Sequence, residues 1–343
     1  MSFFDRLRNR RGSTDSSMKF ISYRSGLHPK GIIGLVDPSE EHVTPLRFPD
    51  NTPVRNMHQL IEEWDATHKH LLHGAPMERL DMVEVLAPLR GRDVICVGKN
   101  YKEHAEEFHK SGYDRSDNKA QPDYPVIFTK RSTSIIGHKH EIYPHPKLTQ
   151  SLDYEGELAI IIGKPGIGIS REDAWDHVWG ATIINDVTAR ERQKDHKQFY
   201  IGKSFDTFCP MGPFAVHTSV LDWKSMTLET RLNGKLRQAA RIDQMIFDIP
   251  TLIATCSMGT TLQPGDVIAT GTPAGVCLSS GEFLKTGDRV DITISGLSTL
   301  SNTVGSGLEG PPPWSPLSER TSLGSSAYTK GMRLKGESGP VGS

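Results

Sequence analysis

Glu155 and Glu157 stand two residues apart in the run Asp153-Tyr154-Glu155-Gly156-Glu157-Leu158-Ala159-Ile160-Ile161-Ile162. The apolar end of that run predicts a strand. Side chains alternate faces along a strand, so the two glutamates share one face. At ~3.3 Å per residue their Cα atoms lie about 7 Å apart, close enough for both carboxylates to reach one ion. Unpaired, two such acids repel and raise each other's pKa, and a bound cation removes that penalty. Asp186 follows a second apolar run, Ala181-Thr182-Ile183-Ile184-Asn185, and adds a third carboxylate. An all-oxygen trio suits a hard ion, Mg²⁺ or Mn²⁺, with positions left for water or substrate. The same acids also read as the solvated face of a strand, and spacing alone leaves both readings open.

His104 and Glu107 are three apart in a stretch that reads as a helix from Tyr101 to about His109, with Asn100 as its cap. They therefore share a helix face. A carboxylate beside an imidazole fixes the ring tautomer and raises its basicity, which makes a general base for activating water. On an exposed helix the same pair is only an ion pair worth a few tenths of a kcal/mol. Lys203 precedes the buried-looking Phe205-Asp206-Thr207-Phe208 and can stand near the ion to hold an anionic substrate; it also reads as an ordinary exposed lysine. Arg190 and Gln193, just after Asp186, can grip a carboxylate and a carbonyl, and arginine suits bidentate carboxylate contact. Thr272 sits in a Gly-Thr-Pro turn whose hydroxyl and N–H groups can receive a carboxylate. These three also have purely structural readings. The glycine-rich Gly163–Gly168 lacks the G-x-G-x-x-G order of a dinucleotide loop, and the chain has no Walker A loop, G-x-S-x-G elbow or H-E-x-x-H.

A net charge of −1 over 343 residues argues against general nucleic-acid binding, which needs a basic surface. Apolar runs fall far short of the ~20 residues of a membrane span. Cys96, Cys209, Cys256 and Cys277 are widely spaced with no C-x-x-C, so neither a zinc site nor a disulfide framework is expected. Residues 1–17 carry Arg6, Arg8, Arg10 and Arg11 with several serines, but also Asp5 and Asp15; they read as a disordered leader or a weak targeting segment. Residues 305–343 are rich in Gly, Ser and Pro and read as a disordered tail. Between the ends, 18–88 reads as a small N-terminal domain with an amphipathic helix near Val54–Leu72. Residues 89–304 read as the catalytic, metal-binding domain. A capping sequence at Ser170–Trp175 predicts a helix carrying Trp175, Val178 and Trp179, and another helix is expected over Ile246–Met258. Strands do not alternate regularly with helices, which predicts an α+β fold over a doubly wound sheet.

The Glu-x-Glu strand together with Asn185-Asp186-Val187-Thr188-Ala189-Arg190-Glu191-Arg192-Gln193 resembles the fumarylacetoacetate hydrolase family. Val97–His104 resembles the family's "GxNYxxH" entry, and Pro125–Lys130, Gly202–Pro213 and Pro264–Val276 follow in the expected order. The resemblance runs from about Met18 to Val304. It implies a mixed β-roll, a Mg²⁺ or Mn²⁺ ion on Glu155, Glu157 and Asp186, an active-site lysine at Lys203, a homodimer, and a lid bearing His104 and Glu107 with Asp114–Tyr124 as its mobile remainder. The implied activity is hydrolysis of a C–C bond in a 2,4-diketo acid of the acylpyruvate kind through a metal-stabilised enolate. Decarboxylation or tautomerisation of oxaloacetate is the alternative, and a non-catalytic dimeric scaffold is the reading from another class. Lys99 departs from the arginine of some acylpyruvases, and Gly202–Pro213 looks closer to the oxaloacetate tautomerases. A cytosolic or mitochondrial location fits.

Overall fold

Leu158, Ile160 and Ile162 of the Gly156–Ile162 strand enter one hydrophobic cluster, and Ala159 and Ile161 enter another. A strand buried on both faces reads as a continuous apolar run, which is why this one shows no polar alternation beyond Glu157. In the computed structural model, which describes residues 18–111, 119 and 121–307, this strand lies inside a 13-stranded mixed sheet. Its neighbours are Val178–Asn185 on one side and Val267–Ala269 on the other, both antiparallel. Beyond Val267–Ala269 come Val94–Gly98, in parallel, and then Val126–Lys130. On the other flank Val178–Asn185 pairs with Cys209–His217, which pairs with Lys19–Arg24. The 18–88 segment thus extends the same sheet, through Lys19–Arg24, Ile32–Val36 and His42–Arg47. A separate antiparallel sheet of four strands runs Lys235–Arg241, Thr227–Leu232, Arg289–Ile294, Ser298–Thr303. Its inward residues Leu228, Ile292, Ile294 and Leu300 share the cluster of Leu158 and Ile160. The other cluster holds Leu60, Ile61 and Trp64 from the helical segment over the opposite face. The expected α+β class, with a mixed sheet and few helices, is the observed one.

Several helices differ from their sequence expectations. The Val54–Leu72 helix is broken into Met57–Glu62, Trp64–Thr67 and a 3-10 turn at His68–His70. Asn56 starts it by accepting the His58 N–H at 2.9 Å. Its end is eroded because Thr67 Oγ1 bonds Glu63 O at 2.8 Å and His68 Nδ1 bonds Trp64 O at 2.6 Å, so side chains compete for helix carbonyls. At Ser170–Trp175 only a 3-10 turn forms, Ala174–His177, and Val178 and Trp179 open a strand instead. Pairing with strands on both sides outweighs the local capping signal. The helix expected over Ile246–Met258 is Ile249–Cys256, capped by Asp248, which accepts the Thr251 N–H at 3.0 Å. The four cysteines are free.

Asn100 is not the cap of the following helix, Lys102–Lys110, whose N-cap is Tyr101. Its amide instead ties three segments: Nδ2 donates to Phe247 O (3.0 Å) and Thr270 O (2.7 Å), and Oδ1 accepts the Phe247 N–H (2.7 Å). Asn100→Ala strands these buried groups, each at about 1–3 kcal/mol. Urea unfolding should show a loss of at least that order, where removal of a mere surface cap would cost about 1 kcal/mol.

Candidate active site

The strand pattern brings the three acids together. Glu155 lies just before the Gly156–Ile162 strand and Asp186 just after Val178–Asn185. Antiparallel pairing sets Gly156 opposite Asn185. The Asp186 N–H then donates to Glu155 O at 2.8 Å, and Asn185 Oδ1 accepts the Glu155 N–H at 3.0 Å. One carboxylate oxygen from each of Glu155, Glu157 and Asp186 lies within 4.8 Å of the others, and all three residues are buried. The solvated-face reading is therefore excluded.

Buried cations surround this trio unevenly. Lys203 Nζ donates to Glu155 Oε2 (2.6 Å) and Asp186 Oδ2 (2.7 Å). It reaches them because Gly202, which precedes it in the short helix Tyr200–Lys203, packs directly on the Arg190–His196 helix. A Cβ on Gly202 would meet Ala189 O at 2.8 Å and Gln193 N at 2.9 Å. Lys130 Nζ donates to the other Asp186 oxygen at 2.6 Å and to Val187 O at 3.1 Å. Arg190 pairs with Glu155 at 2.7 Å and with Asp153 at 2.8 Å, and its Nη1 donates to Gln193 Oε1 at 3.1 Å. That last bond leaves the Gln193 NH₂ as the group free to face the pocket. Asp153 also accepts the N–H groups of Cys277 (2.7 Å) and Leu278 (3.0 Å). Lys130 and Asp153 were not singled out from sequence. Asp153 shares the odd-numbered parity of the two glutamates, a signal that was available. Lys130 comes from 56 residues away, and nothing local marks it.

Four buried carboxylates, Asp153, Glu155, Glu157 and Asp186, face three buried bases, Lys130, Arg190 and Lys203. One negative charge is left over with His104 neutral. The excess falls on Glu157, whose hydrogen bond comes from the Gly271 N–H at 2.9 Å. Burial pushes its carboxyl well above the usual range, and Asp186 and Glu155 push it further. Glu155 is pushed up by burial too, but Lys203 and Arg190 more than offset this and hold it low. A divalent cation fits this donor set: the ligands are hard oxygens, the local charge is negative, and Glu157 is short of a positive partner. With such an ion the cluster would carry one net positive charge, which suits an anionic substrate.

A pocket opens beside Glu155 of the trio, lined also by Arg190, Gln193, Lys203, Thr272, His104 and Lys99, with Phe108, Phe128 and Phe199 as apolar walls. His104, 5% exposed, faces in from the Lys102–Lys110 helix. Its Nδ1 is buried with no hydrogen-bond partner and lies 3.8 Å from Glu107 Oε2. Glu107 also accepts the Gly275 N–H at 3.2 Å, which ties this helix to the turn carrying Thr272. The Thr272 hydroxyl donates to Gly156 O at 2.9 Å and accepts from Gln238 at 2.8 Å, so it faces protein on both counts. Lys99 is buried, at φ +57°, with Nζ 3.3 Å from Lys119 O. Most of the Asp114–Tyr124 segment read as a lid remainder, like residues 1–17 and 308–343, lies outside the described residues. Among the described residues no helix is long and apolar enough to cross a membrane.

Fold and pocket together set three buried carboxylates that could hold a metal ion beside a basic, aromatic-walled pocket. The chain belongs to the fumarylacetoacetate hydrolase family: the profile of the fumarylacetoacetate (FAA) hydrolase C-terminal domain matches residues 93–305. It is 48% identical over 250 residues to "Oxaloacetate tautomerase YisK" of Bacillus subtilis, covering 71% of this chain and 80% of that one. It is 37% identical over 297 residues to the human "Oxaloacetate tautomerase FAHD2A, mitochondrial", covering 84% and 91%. Among solved structures it is similar to maleylpyruvate hydrolase from Sphingobium sp. SYK-6 in complex with manganese(II) ion and pyruvate, at 27% identity and a TM-score of 0.64, covering 84% and 99%. The β-roll implied by the sequence resemblance is thus the fold of the family.

Proposed function

We propose that this protein interconverts the keto and enol forms of oxaloacetate. The observation that carries the reading is the 48% identity to an oxaloacetate tautomerase over 250 residues. The geometry supports it. Tautomerisation moves one proton between C3 and the C2 oxygen. Glu155, Glu157 and Asp186 would hold a divalent ion. Such an ion supplies Lewis-acid stabilisation of negative charge on the oxygen atoms of a 2-oxo acid. Lys203 Nζ and the Gln193 NH₂ are the donors placed to hold the C2 oxygen as charge develops on it. His104, with an unpartnered Nδ1 beside Glu107, would carry the proton between C3 and the C2 oxygen, taking it from one and delivering it to the other. Arg190 acts here by fixing Gln193 and Glu155, and the Thr272 turn closes the pocket. Phe108, Phe128 and Phe199 exclude water, which favours proton return over cleavage.

Hydrolysis of an acylpyruvate is the second reading, favoured by the same His104–Glu107 pair acting on water. The intact trio and the pocket weigh against a scaffold without activity. A homodimer in the cytosol or mitochondrion completes the proposal, and sedimentation as a monomer at micromolar concentration would remove the dimer.

The deciding assay offers enol-oxaloacetate, keto-oxaloacetate and an acylpyruvate to the full chain, with Mg²⁺ or Mn²⁺ and with EDTA. Loss of the enol absorbance without pyruvate release supports tautomerisation. Pyruvate from the acylpyruvate, with enol decay no faster than in buffer, would move the assignment to hydrolysis.

A further inference from the structure

Gly156 separates the two glutamates of the trio, and its backbone is gripped from the four-stranded sheet. The Gly156 N–H donates to Gln238 Oε1 (3.1 Å), Gln238 Nε2 donates to Thr272 Oγ1 (2.8 Å), and Thr272 Oγ1 donates to Gly156 O (2.9 Å). These three bonds close a ring. The remaining Nε2 hydrogen goes to Pro273 O at 2.7 Å. Gln238 is fully buried on Lys235–Arg241, an edge strand of that sheet whose other residues are mostly exposed or half-buried. The approach is so close that only glycine fits at 156: a Cβ there would lie 2.3 Å from Thr230 Oγ1 and 3.2 Å from Gln238 Oε1.

We propose that Gln238 is a positioning residue for the cation site. It reaches neither ion nor substrate. It locks the peptide between Glu155 and Glu157 to the turn that carries Gly271, whose N–H bonds Glu157, and Thr272, which lines the pocket. The site needs an acceptor toward Gly156 and two donors toward Thr272 and Pro273, and a carboxamide supplies both on one planar group. A side chain that merely filled space would need neither, and burying an amide without partners is costly. Outer groups that fix ligand orientation in this way typically control metal affinity. The inference rests on the trio being a cation site.

The test is Mn²⁺ titration of the ion-free full chain, followed by electron paramagnetic resonance, for the wild type, Gln238→Met, Thr272→Val and Thr272→Ser. Far-ultraviolet circular dichroism confirms folding of each. Gln238→Met is expected to weaken Mn²⁺ binding by roughly 10–100-fold. Thr272→Val, which breaks the same ring from the other side, should weaken it in the same direction, and Thr272→Ser should recover what Thr272→Val lost. A folded Gln238→Met protein with unchanged Mn²⁺ affinity overturns the proposal. If Gln238→Met does not fold, the Thr272 pair decides: loss in Val with recovery in Ser supports it, and unchanged affinity in Val overturns it. Wild-type protein that takes up no Mn²⁺ overturns the cation site and, with it, the role of Gln238.

Discussion

Glu157→Gln is expected to abolish stabilisation by Mg²⁺ or Mn²⁺ and all ion-dependent turnover, yet to leave the ion-free protein at least as stable as the wild type. Glu157 is 1% exposed and sits among two other carboxylates, with no ion pair to a base among the described residues. Glutamine keeps an acceptor for the Gly271 N–H and replaces a carboxyl whose charged form burial and the neighbouring acids already disfavour. Glu155→Ala should behave differently. Lys203 and Arg190 each lose one of their carboxylates, and breaking a buried ion network from one side costs about 3–5 kcal/mol. Both variants should lose the ion-induced rise in stability, which for the wild type is about 2.7 kcal/mol at a hundredfold excess over Kd. Thermal unfolding of the two variants, with Mn²⁺ and with EDTA, reads both effects. A Glu157→Gln protein that keeps the ion-induced shift would remove Glu157 from the site. One as unstable without ion as Glu155→Ala would contradict the charge argument.

The trio was legible because its geometry is local. Two glutamates with strand parity share a face, and an acid ending the next apolar run lies beside them once the strands pair. The α+β class was legible from short strands punctuated by Gly and Pro. What stayed hidden depends on partners distant in sequence. Lys130 meets Asp186, Gln238 meets Gly156 across 82 residues, and Asn100 meets Phe247 and Thr270 across 147 and 170 residues. Asn100 has the chemistry of a cap, and only the fold reveals that other backbone groups claim its amide. Trp179 fails for a related reason: Ser170 does engage Asp173 locally, at 3.2 Å, but strands on both sides take the chain after Val178. Arg190 was read as a substrate clamp from its type. The structure shows how much of its fork already contacts Asp153, Glu155 and Gln193.

His104→Ala should slow proton transfer and leave ion binding intact. The imidazole lies at the pocket with Glu155, Gln193 and Lys203, but it sits on the Lys102–Lys110 helix, whereas the three carboxylates lie on or next to strands. Its Nδ1 has no hydrogen-bond partner, and Glu107 stands 3.8 Å away, beyond hydrogen-bond distance. Loss of a general acid or base costs roughly 10²–10⁴ in rate. That loss is expected in enol–keto exchange of oxaloacetate if His104 handles the C3 proton, and in acylpyruvate cleavage if it activates water. Decarboxylation of oxaloacetate takes no proton from C3 before the C–C bond breaks, so it should fall less. Mn²⁺ affinity should stay at the wild-type value because Glu155, Glu157 and Asp186 remain. A parallel loss of rate and Mn²⁺ affinity would place His104 in the shell that shapes the ion site. Full retention of every rate would reduce it to a helix ion pair with Glu107, and the proton would need another carrier.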